Sequence, residues 1–162
     1  MVVSFVGHSG AGKTTLVERI VRELSDRGFS VSVIKFTHHE FDLDRPGKDS
    51  FRFKQAGAAA VGLVSPGGWA IIADKPDMTF SDLIAKLPVS DLIITEGGTW
   101  LDTPKIEVIP YPATQPVKSP PEKLIALVGK NLSHKTLPCF DRDDILGIVE
   151  FLIERYLCNS AL

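Results

Sequence analysis

A single α/β domain, with a mostly parallel sheet, helices on both faces and an added β-hairpin, is the fold this sequence predicts. Three observations predict it. An apolar strand runs into a glycine-rich loop and out again as a helix, a second strand follows that helix, and a later apolar strand ends on an acid. Strand, helix and strand in close succession require a crossover connection, so the two strands lie parallel with helices packed on them.

Residues 2–6 read as the first strand. Residues 13–27 read as a helix, with Leu16, Ile20, Val21 and Leu24 at helical spacing and Gly28 as its stop. Residues 30–35 alternate as the second strand. Residues 36–47 are polar and irregular, and residues 49–56 form a short helix with Asp49 expected as its cap. The apolar runs 59–64 and 69–73 flank Ser65-Pro66-Gly67-Gly68, a hairpin signal. Residues 79–87 are a helix candidate and 91–95 a strand. Two more strands, 105–109 and 124–128, are separated by the proline-rich stretch 111–121, which continues neither a helix nor a central strand. The last helix, 143–156, carries Ile145, Ile148, Val149, Leu152 and Ile153 on one stripe. No repeat or compositional break marks a second domain within residues 1–162.

The chemistry begins at Gly7-His8-Ser9-Gly10-Ala11-Gly12-Lys13-Thr14, which matches G-x-x-x-x-G-K-[ST] at every fixed position. Glycines let the backbone curl until successive N–H groups point inward at phosphate oxygens. The helix that follows adds its unbonded N–H groups and the positive end of its dipole. Lys13 is expected to bridge the β- and γ-phosphates and the Thr14 hydroxyl to ligate Mg²⁺, with Thr15 the next residue of the binding set. With strand and helix on either side, the motif specifies a three-layer P-loop NTPase fold and a bound nucleotide, but not the base or the reaction.

Residues 91–98 deliver Glu96 at the carboxyl end of an apolar strand, where ligands of open α/β sheets bind. Glu96 is thus expected to hold a Mg²⁺-bound water or to orient an attacking one. The polar loop after the second strand leaves from the same sheet edge. Asp42, Asp44 and Asp49 are its candidate Mg²⁺ or water-positioning groups, and Lys48 is a candidate phosphate contact. His38 and His39 on an extended segment point opposite ways, so hydrogen bonding or substrate contact suits them better than a shared metal.

The phosphate loop, then Thr37-His38-His39-Glu40-Phe41-Asp42-Leu43-Asp44-Arg45-Pro46-Gly47-Lys48-Asp49-Ser50, then Gln55-Ala56-Gly57-Ala58, resembles the molybdopterin-guanine dinucleotide biosynthesis protein B (MobB) family. Thr95-Glu96-Gly97, Pro104-Lys105-Ile106-Glu107-Val108 and Leu137-Pro138-Cys139-Phe140-Asp141 resemble it too, so the likeness spans nearly the whole chain. The resemblance implies a small GTP-binding protein, weak as a GTPase, that assists the guanylyltransferase making the guanine dinucleotide form of the molybdenum (or tungsten) cofactor. It implies Mg²⁺ and GTP as ligands, molybdopterin and its guanylyltransferase as partners, and a homodimer whose sheet extends between subunits. The hairpin is the candidate for that extension, because exposed strand edges pair readily. Lys13, Glu96 and Asp49 are the expected catalytic set, Thr14 and Glu96 the metal set, and His39 and Asp141 join the loop in binding nucleotide. The chain departs from many relatives after Glu96-Gly97, where Gly98-Thr99-Trp100 replaces an aromatic and a basic residue. Asn-Lys-x-Asp, the usual guanine signature, is also missing; Asp141 is a candidate acceptor for guanine N1 and N2, with helix capping as its alternative.

Two other functions compete. A small-molecule kinase would use ATP and a lid rich in arginine, for which Arg45 and Arg52 are too few. A metallochaperone GTPase would deliver metal from His38 and His39, yet no cysteine lies near them. No arginine finger is assignable, so slow intrinsic hydrolysis is expected.

Composition narrows the remainder. A hydrophobic fraction of 44%, a charged fraction of 23% and a net charge of −2 are those of an ordinary globular protein, with no drive toward nucleic acid or an anionic membrane. No apolar run reaches the roughly 18 to 20 residues that cross a bilayer. The apolar amino terminus is short and without a basic leader, so no cleaved signal is expected. Cys139 and Cys158 make no metal spacing or disulfide framework, which points to the cytoplasm.

Overall fold

The computed structural model describes residues 1–37, 45–73, 78–113 and 115–158. They fall into two compact units, Met1–Phe36 with Leu87–Leu162, and Thr37–Lys86.

The first unit is built on six parallel strands: β1 (Val2–Val6), β2 (Val31–Lys35), β5 (Leu92–Glu96), β6 (Lys105–Val108), β7 (Leu124–Val128) and β8 (Cys139–Phe140). Their spatial order is β2-β5-β1-β6-β7-β8. The central strands carry near-continuous apolar runs, because in a parallel sheet both faces are covered. Chain order reverses about β1: the helix after it leads to β2 on one side, while β6 lies on the other. Such a switch point opens a crevice at the carboxyl ends of the strands.

Helix α1 (Lys13–Asp26) buries Leu16, Val17, Ile20 and Leu24, with Val21 partly covered. It ends where Gly28, at φ +88°, donates back to the Ser25 carbonyl. The final helix, α4 (Ile145–Leu152), lies against α1 and buries Ile148, Val149 and Leu152 in the same core as Val3, Phe5, Ile94, Ile106 and Val128. Each such side chain contributes about 1.5–3 kcal/mol on burial. A widened turn, Ile153–Leu157, continues α4 and sinks Leu157 into that core.

In the second unit, α2 (Asp49–Gln55) and α3 (Phe80–Ile84) accompany the hairpin β3 (Ala60–Ser65) and β4 (Gly68–Ala73). The hairpin is antiparallel and turns on Pro66-Gly67, as its turn residues predict. α3 starts with a reciprocal cap, in which Thr79 accepts from the Asp82 amide and Asp82 from the Thr79 amide. The expectation for Asp49 is corrected: Lys48 is the residue that flanks α2, in extended conformation, and Asp49 is the first helical residue. There its carboxylate favours the positive end of the helix dipole without closing an amide.

Candidate functional site

Strand register assembles the site. Phe5 pairs with Glu96, and Glu96 with Lys35, so the phosphate loop, the β5 acid and the last residue of β2 share one end of the sheet. On the other side Val6 pairs with Glu107. The loop lies so close to β6 that a Cβ on Gly7 would meet the Val108 carbonyl oxygen at 2.3 Å, and Gly7 holds φ +138°. No residue but glycine fits there.

Gly12, at φ +84°, flanks α1 with no side-chain cap, and the first turn contains no acid. The amides of that turn are left for an external anion. Lys13 Nζ donates to the loop's own carbonyls, Gly7 at 3.0 Å and His8 at 2.9 Å. Thr14 Oγ1 donates to Glu96 Oε1 at 2.7 Å, and Lys35 Nζ stands 3.5 Å from Glu96 Oε2 and 3.4 Å from Thr14 Oγ1. These groups, with Ser9, Gly10 and Thr15, line an open cleft of about 390 Å³. Burial lowers the Lys13 pKa from its ordinary value; Glu96 pulls it back up, and the Lys118 and Lys35 charges push it further down. A cleft lined by two ammonium groups and one carboxylate suits a polyanion that arrives with a cation.

Beneath the cleft, Thr95 Oγ1 donates to Ser4 Oγ at 2.7 Å, and Ser4 Oγ meets Thr103 Oγ1 at 2.6 Å. All three residues are buried, so these bonds brace β1 and β5 and fix the height at which Glu96 emerges.

The remaining expected residues are distributed unevenly. His8 turns its ring away, Nε2 donating to the Pro116 carbonyl at 2.9 Å, which leaves its backbone to the loop. Asp141 follows β8 and accepts from the Asp143 amide at 3.0 Å, while the cap of α4 is Asp144, which accepts from the Gly147 amide at 3.0 Å. Asp141 therefore closes a turn instead of the helix. Asp49 belongs to the second unit, where it pairs with Arg52 at 3.7 Å. His38, His39, Asp42 and Asp44 lie outside the described residues. Trp100 is exposed and meets Phe36 edge-on, ring centroids 5.2 Å apart.

Three contributors escaped sequence reasoning. Lys35 carries a local signal, since a charge ending a short apolar strand sits at the sheet's ligand edge. Arg142 has none: it donates to the Ile109 carbonyl, and its Nη1 stands where a Gly12 Cβ would come within 3.2 Å. Its guanidinium thus props the phosphate loop from beside β6. Glu107 has no role of its own in the sequence pattern; it is fully buried and accepts from the Lys118 amide at 2.6 Å, the Ser119 amide at 2.8 Å and the Ser119 hydroxyl.

A mostly parallel α/β sheet, a glycine-rich loop wrapped onto the start of α1 and an acid on the adjoining strand define a protein of P-loop NTPase-like fold. More narrowly, the chain belongs to the MobB family, whose model, described as "Molybdopterin guanine dinucleotide synthesis protein B", matches residues 2–130. It is similar to the molybdopterin-guanine dinucleotide biosynthesis adapter protein of Haemophilus influenzae, 36% identical over 159 residues, covering 96% of this chain and 89% of that protein. The Escherichia coli adapter protein is 32% identical over 164 residues, covering 94% and 91%. A crystal structure of molybdopterin-guanine biosynthesis protein B matches with a TM-score of 0.74 at 27% identity, over 95% of this chain and 97% of that one. The Bacillus subtilis MobB structure matches at 0.73 and 26%, over 94% and 96%. The resemblance and the fold read from the sequence are both borne out.

Proposed function

We propose that this protein is a GTP-binding adapter, weak as a GTPase, that assists a guanylyltransferase in forming the molybdopterin guanine dinucleotide cofactor. The observation that carries the nucleotide part is the meeting of Lys13, Thr14, Lys35 and Glu96 in one cleft at the start of α1. The cofactor pathway is inferred from the adapter proteins it resembles.

The donor set fits Mg²⁺. Thr14 Oγ1 and Glu96 Oε1 are hard oxygens 2.7 Å apart, and that ion prefers a few protein oxygens completed by water and phosphate. Bound there, Mg²⁺ would neutralise phosphate charge. Lys13 leaves the Gly7 and His8 carbonyls to meet the β- and γ-phosphates, the α1 amides hold their oxygens, and Glu96 orients water. Asp141 is the proposed acceptor for guanine. Arg142 is tied to the Ile109 carbonyl, and with no mobile arginine assigned to the γ-phosphate, hydrolysis stays slow.

Calorimetric titration with slowly hydrolysed GTP and ATP analogues plus Mg²⁺ tests this reading. Preference for GTP, abolished by Lys13→Ala, supports it; preference for ATP overturns it.

A homodimer formed through the hairpin belongs to the same proposal. Register places Val64 opposite Trp69 on the face away from the buried pair Val61 and Ile72, and adds Ile71 to it. Val64 is 88% exposed, Trp69 65% and Ile71 62%. An isolated two-stranded hairpin is marginal in water, and a second copy of the same apolar face is its simplest cover. Trp69→Lys is expected to yield a monomer by light scattering; an unchanged dimer would place the interface elsewhere. Among the described residues no helix is long and apolar enough to cross a membrane. The two free thiols, Cys139 and Cys158, suit the reducing cytoplasm, which is the proposed location.

A further inference from the structure

Glu107 is a buried carboxylate that none of the steps above uses. It lies on β6 beside Val6, the residue before the phosphate loop, and its oxygens accept three hydrogen bonds from Lys118 and Ser119. No cation pairs with it among the described residues, so the backbone of residues 118 and 119 satisfies its charge. The same segment is tied a second time, by the His8 ring to the Pro116 carbonyl. A carbonyl only accepts, so His8 Nε2 carries the proton. These two anchors come from β6 and from the phosphate loop, and they hold residues 116–119 beside that loop.

We propose that residues 116–119 form a second wall of the nucleotide site, with Lys118 as a further phosphate-binding cation and Glu107 the positioning residue that sets it there. This rests on the nucleotide-binding reading and deepens it. Ser119 is buried while Lys118 is exposed, so the clasp fixes the backbone and leaves the ammonium free to reach a ligand. The Lys118 charge is already felt at Lys13, where it is the larger of the two lysine contributions that lower the amine. Such proximity is unfavourable between two cations and becomes favourable when a triphosphate lies between them. Proline on either side, Pro116 and Pro120, limits the conformations the segment visits before binding, which reduces the entropy lost on ordering it. The ligand class is the polyphosphate chain, whatever base it carries.

The test measures affinities of the intact protein for Mg²⁺ with a slowly hydrolysed GTP analogue, and for inorganic tripolyphosphate, at two salt concentrations. Lys118→Ala is expected to weaken both ligands by about fivefold, a typical effect of one exposed charge on a phosphate. The weakening should shrink as salt rises, Lys118→Arg should restore it, and thermal melting of the free protein should stay unchanged. Lys130→Ala, a control on another loop, should bind like the parent. If Lys118→Ala binds both ligands as tightly as the parent while Lys13→Ala fails, the second wall is wrong and the nucleotide site stands. If the parent itself binds neither ligand, the nucleotide reading falls and this inference with it.

Discussion

Thr14 Oγ1 donates a 2.7 Å hydrogen bond to Glu96 Oε1, joining the start of α1 to the end of β5 across 82 positions of sequence. Glu96 is largely buried, and its other oxygen faces the Lys35 ammonium. The carboxylate is therefore aimed by two partners before any ligand arrives. Glu96→Gln keeps the shape and removes the charge. It is expected to weaken Mg²⁺-dependent nucleotide binding by about tenfold, the scale of losing an outer partner of a metal. Binding in chelator should change little, and an equal loss with and without Mg²⁺ would exclude a role at the metal.

Gly7 tests the packing of the loop on β6. Alanine there would bring a Cβ to 2.3 Å from the Val108 carbonyl oxygen at φ +138°, so steric overlap and backbone strain act together. Gly7→Ala should lose roughly 3 kcal/mol of folding stability in urea, combining an overpacked contact with a strained residue. Gly10→Ala is the control, since its added carbon meets nothing within 4 Å although its φ is also positive, and it should lose less.

Lys13 predicts a pH dependence. Burial first, then the neighbouring Lys118 and Lys35, lower its folded pKa below the ordinary 10.5. Between the lowered value and 10.5 the unfolded chain binds the extra proton, so stability rises with pH across that window. Below the window the cost of burying the ammonium is fully present. Phosphate binding depends on the charged form and runs the other way, weakening as pH climbs through the folded pKa. Affinities measured toward alkaline pH should fall for the parent and stay level for Lys13→Arg if that variant still binds. A flat parent profile would mean that Lys13 keeps its proton throughout.

Glu107 can be tested without any ligand. Glu107→Ala leaves the Lys118 and Ser119 amides and the Ser119 hydroxyl without their acceptor. A destabilisation of about 3 kcal/mol is expected from the unsatisfied buried donors. Amide hydrogen exchange at Lys118 and Ser119 should accelerate more than in β1 or β5, since the segment loses its clasp while the sheet keeps its ladder. Uniform acceleration would indicate global unfolding and no local anchor.

Much of this architecture was legible locally. β7 falls where its apolar run predicts, α1 ends at Asp26, one residue before the predicted helix end at 27, and the hairpin turns on Pro66-Gly67. Other boundaries were harder for physical reasons. β8 has two residues, too few to carry a period. The start of α4 offers Asp141, Asp143 and Asp144, all able to cap, and only backbone geometry chooses Asp144. At α2 the extended conformation of Lys48 makes it the flanking residue and moves Asp49 into the first turn.

The sequence by itself determined the phosphate loop, the βαβ start, the acid at the end of β5 and the family likeness carried by residues 37–50. Each is a pattern of neighbours, written in spacings of two, three or four residues and in glycines that a curled backbone demands. Only the tertiary structure decided that Lys35 faces Glu96, that Arg142 props Gly12, and that Glu107 clasps Lys118 and Ser119. Those pairings depend on the strand order β2-β5-β1-β6, in which neighbours in space lie far apart in the chain. Local periodicity indicates which residues form strands and which face is buried, but the order of strands is chosen by packing the whole core at once. The residues that complete this site are those whose partners that choice supplied.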